Sequence, residues 1–155
     1  MSNFLESVVK NKLVPAPSTD ADVNVIADGT SLLLSYDTEQ GKAIINYKLV
    51  SVFTFGRPND EVLEGHRLYE RGLDYYAAQI VQNSRWIREL DVQNSGHSQH
   101  DSEKFIRSHH HHILTFKDAT FECIYSNIFG DPEVSIVSVE NWRKELSEYF
   151  SNCIK

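Results

Sequence analysis

Apolar positions along this chain change their period twice. Near the start, Phe4, Leu5, Val8, Val9 and Leu13 recur at helical spacing, with Ser2 or Asn3 ahead of them as a cap. This predicts a helix over 1–13, stopped by Pro15 and Pro17, and a loop over 14–22. The period then falls to two. "VNVIAD" and "SLLLSY" predict short strands divided by the turn signal Asp28-Gly29. Residues 43–55, "AIINYKLVSVFTF", predict one long strand with Ile45, Tyr47, Leu49, Phe53 and Phe55 on a core face. The opposite face is polar near its start, as antiparallel sheets with one wet side allow.

The stretch "GRPNDEVLEGHRLYERGL" interrupts the alternation, and Asn59 can cap a single helical turn ending near Leu63. "YYAAQIVQ" predicts a further strand. Residues 83–94 suit either a short helix, capped by Asn83 and presenting Trp86, Ile87 and Leu90, or an alternating strand. Residues 95–104 read as a polar loop. "HHILTF" and "TFECIY" predict a β-hairpin. A two-residue turn at Asp118-Ala119 would set Phe116 opposite Phe121, Leu114 opposite Cys123 and His112 opposite Tyr125. "SIVSV" predicts a short strand. A second helix follows over 138–153, capped by Ser138, with Val139, Trp142, Leu146, Tyr149, Phe150 and Cys153 on its buried side and Val137 stapled against Trp142. The expected fold is α+β and mainly β. It is one domain with an antiparallel body over 23–137, shaped as a sandwich or partly open barrel, and N-terminal and C-terminal helices packed on it.

Composition narrows the function classes. The 155 residues are 41% hydrophobic and 24% charged, ordinary for a globular protein. Fifteen Lys and Arg stand against 22 Asp and Glu, a net charge of −7, and no basic run appears. No nucleic-acid partner is therefore expected, while a protein partner of complementary charge is. Cys123 and Cys153 belong to no metal-ligand spacing and read as reduced thiols. The N-terminus lacks a basic stretch followed by an apolar one, and no apolar run approaches the roughly 18 residues that span a bilayer. A cytoplasmic protein with no membrane partner is expected.

The four histidines His109, His110, His111 and His112 lead straight into the hairpin. On a strand, His110 and His112 share the face of Leu114 and Phe116, while His109 and His111 point the other way. Two positions apart on a strand is about 7 Å, within reach of one shared ion. His66, His97, His100 and Asp101 are candidates for a third ligand, and His66 with His110 and His112 forms the candidate metal set. This His-x-His on a strand of a mainly β body resembles a cupin metal site over three residues. The resemblance implies a divalent metal and a metal-dependent or His-dependent enzyme with its site at one end of the sheet. The chain departs from the cupin pattern in two ways: Glu122 lies on the next strand, and His66 precedes the pair instead of following it. The competing expectation is that the histidines form the wet end of a strand, hydrogen-bonded or solvated, and hold no cofactor.

A second constellation lies in 57–71. Arg57, Asn59, Asp60, Glu61, His66, Arg67, Tyr69 and Arg71 crowd a glycine-punctuated loop after a strand, and "HSQHD" adds His100 and Asp101. A histidine between carboxylates and guanidiniums suits acid–base work. The same residues also suit a helix cap at Asn59 and an ion pair from Arg57 to Asp60. The glycine spacing is not that of a P-loop, and no Gly-x-Ser-x-Gly is present. The function expected from the residues is that of a small binding or accessory protein, non-enzymatic, acting on a protein partner through an acidic or mixed-charge surface. The alternative is the cupin-like enzyme.

Overall fold

The long alternating stretch over 43–55 forms two strands that belong to different sheets, and that break organises the architecture. In the computed structural model, which describes residues 5–153, Leu49 takes φ 52°, in the left-handed region. The chain crosses there from one sheet to the other. The strands are β1 (Ser7–Lys10), β2 (Val23–Ala27), β3 (Leu32–Thr38), β4 (Gly41–Tyr47), β5 (Val50–Gly56), β6 (Ala78–Gln82), β7 (His109–Thr115), β8 (Thr120–Ser126) and β9 (Glu133–Val137). The helices are α1 (Arg85–Asn94), α2 (Ser102–Ser108) and α3 (Val139–Cys153), and two short 3-10 helices cover Asp60–Gly65 and Tyr69–Arg71.

All strand pairs are antiparallel. One sheet runs β1-β6-β7-β8-β5 and the other β2-β3-β4-β9. Their inner faces meet in a shared core. Leu32, Leu34, Tyr36, Ala43, Ile45 and Tyr47 come from the four-stranded sheet, and Leu114, Phe116, Phe121, Cys123 and Tyr125 from the five-stranded one. The result is a sandwich of two packed sheets, as the alternation anticipates. The β3–β4 hairpin closes tightly at Gly41, whose φ of 134° and approach to the Val137 carbonyl leave no room for a Cβ.

The five-stranded sheet is covered on its outer face as well. Val8, Leu63, Leu68, Leu73, Val81 and Ile113 form a second apolar cluster beneath the 3-10 segments. Here the structure corrects the expected N-terminal helix. Residues 7–10 are a strand paired with β6, because Val8 fills the outer cluster while Val9 faces away, which is a period of two. Phe4 lies outside the described residues, as do the side chains of Val139, Tyr149, Phe150 and Cys153. The C-terminal helix α3 follows Ser138, whose hydroxyl accepts from Asn141 N–H at 3.4 Å. It lies on the outer face of the four-stranded sheet, where Lys42 sits 4.5 Å from the centre of the Trp142 ring.

The β7–β8 hairpin differs from expectation in register. Residues 116–119 form a four-residue loop closed by Phe116 N–H to the Ala119 carbonyl. Leu114 therefore lies opposite Phe121, His112 opposite Cys123 and His110 opposite Tyr125. The shift is two residues, so each side chain keeps its expected face. Phe53 and Phe55 do not reach the core as expected. They are 39% and 43% exposed on β5, which is an edge strand of its sheet.

Candidate functional site

The histidines are mostly not solvated. His111 and His112 are 0% and 1% exposed, so they are hydrogen-bonded side chains, as one form of the expectation has it, but not a wet strand end. Both faces of β7 are covered, one by the second sheet and the other by the 3-10 segments and α1. His112 points between the sheets. Its Nδ1 lies 2.9 Å from the Tyr47 hydroxyl, and the Asn11 amide nitrogen and Tyr125 hydroxyl lie within 3.4 Å of its ring nitrogens. Burial, with smaller contributions from His110 and His111, depresses its pKa to about 3, so it is neutral at ordinary pH.

His111 points outward into a second network. Its Nε2 lies 2.9 Å from Glu122 Oε1, and its Nδ1 lies 2.7 Å from Ser84 Oγ. The other Glu122 oxygen takes His66 Nε2 and Arg67 Nη1, each at 3.2 Å, and Arg67 Nη2 reaches Oε1 at 3.0 Å. Glu122 is only 6% exposed. Burial alone would raise its pKa, but hydrogen bonds from His111, His66 and Arg67 outweigh burial and hold the carboxyl far below the usual range. The proton directions follow from that charge. The carboxylate accepts, so His111 Nε2 carries a hydrogen. Ser84 Oγ already accepts the Ile87 N–H at 3.1 Å, so its own hydrogen is available to His111 Nδ1.

Ser84 owes its position to a strand–turn–helix corner. β6 ends at Gln82, Asn83 takes φ 55°, and Ser84 caps α1. The helical reading of 83–94 thus holds, with the cap one residue later than Asn83. The ladder between β6 and β7 stops at Ile80 opposite His112. Beyond that pair, β6 continues against β1 and β7 against β8, so the five-stranded sheet splits. The split opens a cleft of about 700 Å³ between the two strand ends and helices α1 and α2. Ile80, Val81, Ile87 and Ile106 supply apolar wall, Ser84, His109, His110 and His111 supply polar groups, and Arg88 and Arg107 stand at its rim. His110 Nε2 is buried and has no hydrogen-bond partner among the described residues. The Arg88 and Arg107 side chains have no ion-pair or hydrogen-bond partner there either.

The other predicted site residues fall in several places. His66 lies on the outer face of the sheet and His110 and His112 on the inner face, so the candidate metal set is divided by the sheet itself. Among the described residues, no three His, Cys, Asp or Glu side chains are grouped to hold a metal ion. Asn59 and Asp60 sit at the far end of the molecule. Asp60 N–H bonds the Lys117 carbonyl and its carboxylate takes the Tyr76 hydroxyl, so Arg57 is not its partner. Asn59 starts the first 3-10 helix without a side-chain cap bond. Tyr69 packs edge-on against Tyr75 at 6.2 Å, and Arg71 ends the second 3-10 helix. His100 ties two helices together: its Nε2 lies 2.7 Å from Asp91 of α1, while Asp101 caps α2 by accepting Lys104 N–H at 3.2 Å. Of the residues expected to bind together, His66 and Arg67 join the Glu122 network.

Ser84, Arg88 and Arg107 have no place in the sequence expectations, and His111 and Glu122 stand there outside the candidate sets. One signal was available, since Glu122 is a lone acid on a strand flanked by Phe121 and Cys123. Compared with protein-family models, curated proteins and solved structures, the chain matches none. No helix among the described residues is long and apolar enough to cross a membrane.

Proposed function

We propose that this chain is a binding protein for a small amphipathic anion, held in the cleft where β6 and β7 part. The observation that carries this reading is the composition of that cleft. Its isoleucine wall suits a short hydrocarbon chain, and its rim holds two arginines without an ion-pair partner among the described residues, in a chain of net charge −7. His110, whose Nε2 has no hydrogen-bond partner among the described residues, lines the same cleft. The buried, unpaired Cys123 thiol fits a reducing compartment, and with it the cytoplasm. The test is displacement of anilinonaphthalene sulfonate by octanoate, followed by fluorescence. The native protein should show saturable displacement, and the double variant Arg88→Gln, Arg107→Gln should weaken it by roughly tenfold or more. Equal displacement from both proteins would reject the reading.

A second reading keeps a protein partner. Phe53 and Phe55 stand exposed on β5, an edge strand with an unpaired side. A partner adding a strand there would cover both rings, and the acidic chain would favour a basic partner.

A further inference from the structure

Glu122, His111 and Ser84 form an unbroken relay from a buried carboxylate to a hydroxyl at the wall of the cleft. The distances are 2.9 Å from Glu122 Oε1 to His111 Nε2 and 2.7 Å from His111 Nδ1 to Ser84 Oγ. Both lie within the range required of a working base and nucleophile. Trp86 packs edge-on to the His111 ring at 5.5 Å and helps fix its plane. We propose that Ser84 is a nucleophile and His111 its general base, and that the cleft hydrolyses carboxylic esters of short apolar acyl chains. This deepens the ligand reading above and rests on it for the choice of substrate.

The roles follow from the hydrogen-bond directions. Glu122 accepts the Nε2 hydrogen, so Nδ1 keeps its lone pair facing the serine. The roles of the two ring nitrogens are reversed relative to the familiar Ser-His-acid order, but either nitrogen can act as base when the other is held. Ser84 Oγ adds to the ester carbonyl carbon as its proton passes to His111 Nδ1. The bond from carbon to the alcohol oxygen then breaks, and that oxygen takes the proton from Nδ1. Water adds to the acyl-serine through the same nitrogen, releasing the carboxylic acid and restoring Ser84. The sum is ester plus water to acid plus alcohol.

The negative oxygen formed on addition needs a donor. In the first turn of α1, the Arg85 N–H is taken by the Glu6 carboxylate at 2.9 Å and the Ile87 N–H by Ser84 itself. The Trp86 N–H has no acceptor among the described residues. It lies at a helix N-terminus, where backbone polarity favours negative charge. The competing role for Ser84 is as a cap alone, with the His111–Glu122 pair acting only as an internal brace.

The experiment uses an alkyl fluorophosphonate on the full chain. Ser84 Oγ displaces fluoride from phosphorus, and its proton passes to His111. Intact-mass and peptide analysis should find one adduct, on Ser84, formed on the order of 100-fold more slowly in His111→Gln. The native protein should also hydrolyse p-nitrophenyl butyrate with saturation, faster than equimolar imidazole. Native protein that is folded by circular dichroism yet gains no adduct would overturn the proposal, whether or not Ser84→Ala folds. An adduct rate unchanged in folded His111→Gln would also overturn it. Octanoate binding without an adduct rejects the nucleophile and leaves the ligand reading intact. An adduct without octanoate binding rejects the ligand reading and keeps the nucleophile.

Discussion

Ser84 Oγ and His111 Nδ1 stand 2.7 Å apart, which fastens the N-terminus of α1 to the middle of the outer face of the five-stranded sheet. His111 in turn holds Glu122, and Glu122 holds His66 and Arg67. One buried carboxylate thus joins α1, two neighbouring strands and the segment between the two 3-10 helices.

Glu122 should therefore dominate local stability. Glu122→Ala leaves two imidazoles and a guanidinium without their shared acceptor and should destabilise the fold by about 3 kcal/mol. Arg67 is about half exposed, so Arg67→Ala should change stability by no more than about 1 kcal/mol. Urea denaturation of both variants checks the ranking, and equal losses would contradict it.

Stability should fall with acid before any carboxylate titrates. His112 has a folded pKa of about 3, against an unfolded value near 6.5. Between those values the unfolded chain binds a proton that the folded chain does not. Stability is then complete above about pH 6.5 and declines by about 1.4 kcal/mol per unit below it, or about 2 kcal/mol by pH 5. His112→Gln should flatten that slope by the same amount in denaturation curves at pH 7 and pH 5. Glu122 adds a further loss at lower pH. Its folded pKa lies below the unfolded value near 4.3, so its contribution is present above that value and disappears as pH falls beneath it.

Gly72 ties β1 to the turn after the second 3-10 helix. Its φ is 109°, and a Cβ there would meet the Val8 carbonyl oxygen at 2.8 Å. Gly72→Ala should lose about 1–3 kcal/mol from backbone strain and displacement of β1. Gly65 has nothing within 4 Å of such an atom, so Gly65→Ala serves as the control. Thermal melts that shift alike would contradict the account.

The face assignments were legible in the sequence because a period of two survives errors of register. The alternation puts His110, His112, Leu114 and Phe116 on one face, and a register two residues away from the expected one leaves that face unchanged. Residues 43–55 misled because a left-handed residue at Leu49 leaves no mark on an alternating pattern. The N-terminal segment misled because Phe4, Leu5, Val8 and Val9 satisfy helical spacing as well as they satisfy a short strand. α2 was missed because seven residues with Phe105 and Ile106 as their apolar content show no period. Trp142 reads as a fully buried anchor, yet it is partly exposed over Lys42, and Trp142→Ala should lose about 1–2 kcal/mol instead of the 3–5 of a core aromatic. The candidate site was illegible for a different reason. Ser84, His111 and Glu122 come from three elements, and only the splitting of the sheet brings them to one cleft.

The most direct measurement of the ligand reading is heteronuclear NMR of the labelled chain during titration with octanoate. Saturable shifts are expected at the amides of Asn83, Ser84, Ile87, Arg107 and His110, with Phe53 and Phe55 unmoved. Shifts gathered on β5, or none up to millimolar octanoate, would contradict it.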